Sequence, residues 1–214
     1  LEDITQTFGI NFKDINNEYS NEILDIYNGS IDKYKKSENG LILNTIGTYY
    51  KLVKTNYKLM KKYYLMAIKL GNHCAMYNLG NHYRFEEKNY ELMKKYYLMA
   101  IELRHDNTMN NLGHYYKNIE KNYELMKKYY LMAIELGNNR AMNNLGHYYQ
   151  YIEKNYELMK KYYLMAIKLG NINAMINLGN YYRYIEKNYE LMKKYYLMAI
   201  ESGYDENKIK LSDI

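Results

Sequence analysis

The segment KNYELMKKYYLMAI stands unchanged at 88–101, 121–134, 154–167 and 187–200, a constant step of 33 residues. A near copy running from Thr55 to Ile68 differs only at Thr55 and Lys58. The same step carries Gly47, Gly80, Gly113, Gly146 and Gly179, each preceded by Leu or Ile. A fixed period of this length describes small units that cannot bury a face alone and stack on their neighbours. The chain therefore reads as five such units, 42–74, 75–107, 108–140, 141–173 and 174–206. They are preceded by a non-repeat segment, 1–41, expected to form a helical cap, and followed by a tail or cap at 207–214.

Each unit holds two helical patterns. Met76, Leu79, Gly80 and Tyr83 fall at i, i+3, i+4 and i+7, one stripe of a helix, and are the expected core of the first. In the second, Leu92, Met93, Tyr96, Met99, Ala100 and Leu103 share a broad arc opposite Glu91, Lys94, Lys95 and Glu102. An arc this wide calls for more than one packing neighbour. Gly71, Gly137, Gly170 and Gly203 sit where a left-handed residue ends the second helix, and Arg104 in that column predicts a different turn. The glycine inside the first helix lowers helix propensity, so its recurrence predicts close backbone packing between helices. A helix-like stretch from Glu18 to Lys36 breaks at Asn28-Gly29, and Ile209 and Leu211 in the tail are candidates for a capping helix.

Composition fits an all-α chain: there is no Pro, and Leu, Met, Glu and Lys are frequent. No apolar run approaches the roughly 20 residues of a membrane span. The lone Cys74 forms no internal disulfide, which fits a reducing, cytoplasmic setting. Abundant Tyr, Asn, Lys and Ile point to an A/T-rich coding sequence, as in some protists and large DNA viruses; for a virus the setting becomes the host cytoplasm. The sequence opens on Leu1 rather than Met, which leaves room for a preceding segment.

The pattern A-x-x-x-L-G-x-x-Y, as in Ala141, Leu145, Gly146 and Tyr149, is followed by N-Y-x-x-x-x-x-Y-Y-x-x-A and then Gly-Asn. It resembles the tetratricopeptide-like families, in particular the Sel-one-like repeat, over about three quarters of the chain. Two departures stand out: the usual glycine-bearing inter-helix loop is reduced to residues such as Ile152, Glu153 and Lys154, and Met159 takes the place of a small residue. The resemblance implies a right-handed α-solenoid of antiparallel helix pairs that holds a protein or peptide on its concave face. It brings no catalytic chemistry and no cofactor.

The units differ from one another mainly on one face of the first helix. The four columns are Asn44, Tyr77, Asn110, Asn143, Ile176; Thr48, Asn81, His114, His147, Asn180; Lys51, Arg84, Lys117, Gln150, Arg183; and Leu52, Phe85, Asn118, Tyr151, Tyr184. Arg or Lys beside aromatic and amide side chains suits a protein interface, and Arg can grip a carboxylate through two hydrogen bonds. Tyr77, Asn81, Arg84, Phe85, His114, Lys117, Asn118, His147, Gln150, Tyr151, Asn180, Arg183 and Tyr184 are the candidate partner-binding residues, with an acidic peptide the best-suited partner. Harmless drift on an exposed face gives the same pattern.

Other chemistry finds little support. His114 and His147 have no further ligand at metal spacing, Cys74 beside His73 reads as a loop thiol, and no catalytic constellation appears. The expectation is a non-enzymatic scaffold with no metal. Twin lysines such as Lys94-Lys95 form a ladder partly neutralised by pairs such as Glu91–Lys95, but a net charge of +6 and many tyrosines keep nucleic-acid binding as the alternative. Self-assembly is a third reading, through an apolar ladder of Leu65, Leu98, Leu131, Leu164 and Leu197.

Overall fold

The computed structural model describes residues 19–205 and 208–209, which form helices and connections without a strand. Two compact units divide after His105. In the first, α1 (Ser20–Tyr27) and a 3-10 turn (Asp32–Tyr34) precede two helical hairpins, α2 (Gly40–Leu52) with α3 (Tyr57–Lys69) and α4 (His73–Phe85) with α5 (Tyr90–Glu102). The second holds three: α6 (Asp106–Tyr115) with α7 (Tyr123–Glu135), α8 (Asn139–Tyr148) with α9 (Tyr156–Lys168), and α10 (Ile172–Tyr181) with α11 (Tyr189–Glu201). Within each unit, consecutive hairpins stack on one another, which is the α-solenoid arrangement that the period predicts.

Each second helix starts the same way. Asn56, Asn89, Asn122, Asn155 and Asn188 accept a hydrogen bond from the backbone N–H of the Leu three residues on, at 3.0–3.1 Å. This satisfies one of the donors that a helix start leaves open. Just before the cap, Thr55, Lys88, Lys121, Lys154 and Lys187 adopt φ values of 48°–56°. A lysine in four of these short loops, and Thr55 in the first, thus holds the left-handed position, which explains how they close without glycine. In the second unit, α6, α8 and α10 also run into π-helical turns, Tyr116–Glu120, Tyr149–Glu153 and Tyr182–Glu186.

Three readings need correction. Arg104 does not change its turn: it adopts φ 58° beside the 73°–80° of Gly71, Gly137 and Gly170, and its N–H bonds to Ile101 O at 2.8 Å as Gly71 bonds to Ile68 O at 2.9 Å. Leu103 is 48% exposed at the C-cap, whereas Tyr97 is fully buried and belongs to the core. The recurrent glycine meets a ring rather than a backbone. A methyl at Gly146 would stand 2.6 Å from the Tyr163 ring, and Tyr64, Tyr97, Tyr130 and Tyr196 cover the equivalent glycines.

The tyrosines are packing elements. Tyr50–Tyr63, Tyr83–Tyr96, Tyr116–Tyr129, Tyr149–Tyr162 and Tyr182–Tyr195 stack across the hairpins with centroids 5.5–5.7 Å apart and planes within 8° of parallel. The second lysine of each twin lies over the outer ring of its stack, as Lys95 over Tyr96 at 5.6 Å and Lys161 over Tyr162 at 5.4 Å. The first pairs with Glu91 or Glu124 three residues earlier at 3.0 Å, not four as the spacing suggested. It also reaches the loop of the next hairpin, as Lys127 does to Glu153 at 3.3 Å and Lys160 to Glu186 at 2.5 Å.

At the ends, Ile23 and Ile26 of α1 are fully buried, and Ile26 joins a core with Ile42, Leu43 and Ile46 of α2. Gly29 turns the chain there at φ 90°. Residues 1–18 and most of the tail, including Leu211, lie outside the described residues. Among the described residues no helix is long and apolar enough to cross a membrane.

Candidate functional site

The variable face of the first helices separates into an inward and an outward part. The first column links neighbouring first helices: Asn78 Nδ2 donates to Asn44 Oδ1 at 3.0 Å in the first unit, and Asn144 to Asn110 at 2.9 Å and Asn177 to Asn143 at 3.0 Å in the second. These amides stitch repeats together, so Asn44, Asn110 and Asn143 of that column hold neighbouring helices rather than stand as free surface. The second column meets the tyrosines that cover the glycines. Tyr97 Oη donates to Asn81 Oδ1, Tyr196 Oη to Asn180 Oδ1 at 2.5 Å, and Thr48 shares a bond of 3.1 Å with Tyr64. Where His147 occupies that column, Tyr163 turns instead to Gln150 Oε1 at 2.8 Å, and Gln150 is buried. Burial raises the phenol pKa of Tyr64 to about 12 despite the bond to Thr48.

The outward part carries aromatic rings beside cations. In the first unit, Arg84 lies 4.7 Å over the ring of Phe85, which is 60% exposed, while the half-buried Tyr77 faces Tyr97 and His105 at ring distances of 6.3 and 4.9 Å. In the second, Tyr151 is 55% and Tyr184 63% exposed, whereas their neighbours Tyr149 and Tyr182 are buried. Arg183 lies 5.2 Å over the Tyr184 ring, and the His147 ring lies 4.4 Å from Tyr151. Lys117 Nζ sits 3.3 Å from His147 Nδ1. Burial first, then Lys117, lowers the pKa of His147. His114 is exposed, and Asn118 donates to the His114 carbonyl at 2.9 Å. A cleft of 430 Å³ is lined by Ile176, Asn180, Arg183 and Tyr184 together with Tyr196, Tyr204, Lys208 and Ile209.

Two arrangements escaped the sequence reading. Tyr196 lies in a constant column, so variation among units carries no signal for its place in the cleft. Cys74 is not a loop thiol: it lies in the first turn of α4, half-buried, with Sγ 3.6 Å from His73 Nδ1. His105, distant in sequence, completes a group whose ligand atoms all lie within 4.8 Å of one another. The signal was present, since His105 stands where three of the other four repeats have Asn72, Asn138 and Asn171, the last having Tyr204.

No protein-family model and no curated protein sequence matches the chain. Solved structures do. A Sel1 repeat protein from Oxalobacter formigenes shares 22% identity at a TM-score of 0.70, over 88% of this chain and 85% of its own. An immunity protein from Pseudomonas aeruginosa shares 20% at 0.58, over 84% and 73%. The C-terminal part of a TPR repeat-containing protein from Cytophaga hutchinsonii shares 20% at 0.55, over 87% and 74%. With its 33-residue hairpins, glycine–tyrosine packing and stacked arrangement, the chain has the all-α solenoid fold of the Sel1-like and tetratricopeptide-like repeat proteins.

Proposed function

We propose that the chain is a non-enzymatic scaffold that binds a protein segment, preferably an acidic one, through the outward ends of its first helices. The observation that carries this reading is the exposure of Tyr151 and Tyr184 beside buried neighbours, with Arg183 and Lys208 at the adjoining cleft. Aromatic and Arg side chains are the usual anchors of protein interfaces, because they supply rigid contact area and a planar grip on carboxylates. Lys208 adds a second positive charge against a peptide terminus or side-chain carboxylate. The inward amides leave these anchors on a stiff base, which lowers the ordering cost of binding. The repeat fold is itself of a kind used for holding proteins. The lone thiol fits a reducing, cytoplasmic setting.

The lysine ladder that a nucleic acid would need is taken up by Glu153, Glu186 and the stacked tyrosines, which favours a peptide as partner. The test is selection of a displayed random-peptide library against the intact chain, with binding then compared between wild type and Arg183→Ala/Tyr184→Ala. Enrichment of acidic peptides and a loss of roughly ten-fold or more in affinity, about 1.4 kcal/mol, is the expected result. Selected peptides that bind the double variant equally well, with its helicity unchanged, would sink the assignment of this face.

A further inference from the structure

The joint between repeats has a fixed chemistry in the second unit. The residue before each first helix is Asn138 or Asn171, and its amide does two things. Its oxygen caps the helix, accepting from Ala141 N at 2.9 Å or Ala174 N at 3.0 Å. Its nitrogen reaches back to the first residues of the preceding first helix: Asn138 to Asp106 Oδ2 at 2.7 Å and Asn107 Oδ1 at 3.3 Å, and Asn171 to Asn139 O at 3.2 Å. Moved back by one period, the same node consists of His105 facing His73 and Cys74. Changes in two different repeats, at both ends of the α4–α5 hairpin, have therefore replaced one amide node by two imidazoles and a thiol.

We propose that His73, Cys74 and His105 form a binding site for a borderline-soft divalent metal ion, zinc being the natural occupant. One thiolate and two imidazoles select zinc or its neighbours over magnesium and calcium, which take oxygen ligands. Bond lengths of about 2.0–2.3 Å to nitrogen and sulfur place tetrahedral donors roughly 3.5 Å apart. The donors here lie within 4.8 Å of each other, and Cys74 Sγ and His73 Nδ1 are already at 3.6 Å. Small rotations of three side chains close the set. The His105 ring packs against Tyr77, centroids 4.9 Å apart, and against His73 at 5.1 Å, which keeps the two imidazoles side by side. Cys74 and His105 are half-buried and His73 is exposed, so the fourth position faces solvent and a water completes it. Binding forms one metal–sulfur and two metal–nitrogen bonds and releases the thiol proton to the buffer, so affinity rises with pH. The ion clasps the two ends of one hairpin, a role unrelated to the peptide-binding face.

The test is titration of the chelator-stripped chain with Co2+, followed by competition with Zn2+. A thiolate-to-cobalt charge-transfer band, visible bands of four-coordinate cobalt, saturation at one ion per chain, bleaching by zinc and a zinc-dependent rise in melting temperature are expected. His105→Asn restores the amide used at the other joints; it should fold normally and bind roughly a hundred-fold more weakly, a ligand loss being at least as damaging as the loss of an outer-shell partner. Cys74→Ser should abolish the charge-transfer band. A wild-type chain without that band at equimolar cobalt overturns the proposal, as does a band that His105→Asn leaves unchanged or one that appears only when chains dimerise.

Discussion

At the scale of single residues, Lys117 and His147 couple two repeats through one contact of 3.3 Å. Burial first and Lys117 second disfavour the imidazolium, so the folded midpoint lies below the ordinary 6.5. Burial, then Lys121, likewise lowers the pKa of Lys117. Above pH about 6.5 both folded and unfolded chains carry a neutral imidazole, and the stabilising contribution is complete. As pH falls from there toward the folded midpoint, the unfolded chain takes up the proton first and this contribution is lost. NMR titration should give His147 a midpoint below 6.5, and Lys117→Met should move it part of the way back. An unchanged midpoint in the variant would show that the lysine exerts no effect. Residues of this kind were only half legible. The column that holds His147 was visible from differences among units, but its partner depended on how the helices stack, and Gln150 appeared outward until Tyr163 drew it in.

Helices and their connections were more readable, and what failed did so for definable reasons. Periodicity located both helices of each unit because Met, Leu and Ala dominate their inner faces. Tyr97 falls outside the apolar arc that the spacing defines, yet it is fully buried, and Asn81 satisfies its hydroxyl inside the protein. The loops looked anomalous for lack of glycine because lysine carries the left-handed conformation there, a conformation that costs an L-residue about 1–2 kcal/mol. Lys121→Gly, Lys154→Gly and Lys187→Gly should each raise stability by about 0.5–1 kcal/mol once the greater freedom of glycine in the unfolded chain is deducted. Urea denaturation of the single and triple variants checks this. A loss of stability would mean that the lysine side chains contribute more than their backbone strain removes.

For the whole molecule, stability rests on joints repeated within each unit rather than on one central core. Charge is part of those joints. Lys61, by its hydrogen bond, lowers the carboxyl pKa of Glu87, and Lys160 does the same to Glu186. A depressed carboxylate contributes in full above its unfolded value, about 4.5, and loses that contribution as pH falls through its folded value. Melting temperature should therefore decline below about pH 4.5, and Lys160→Met should flatten part of that decline. An identical acid profile in the variant would remove these bridges from the account. The period announced this organisation clearly. Which atoms close each joint it could not announce, because Asn138 and Asp106 become neighbours only through stacking.

The amide ladder has a consequence for the length of the array. In the second unit, Asn144 meets Asn110 and Asn177 meets Asn143 in the same geometry. Excision of residues 141–173 would bring Asn177 against Asn110 with every donor and acceptor type preserved. Other joints would change, since Tyr204 would take the place of Asn171 against Asn139 and Asn180 that of His147 beside Lys117. The amide ladder itself therefore tolerates a change in the number of hairpins by unequal exchange between near-identical gene segments, and the variable residues around it set which exchanges fold.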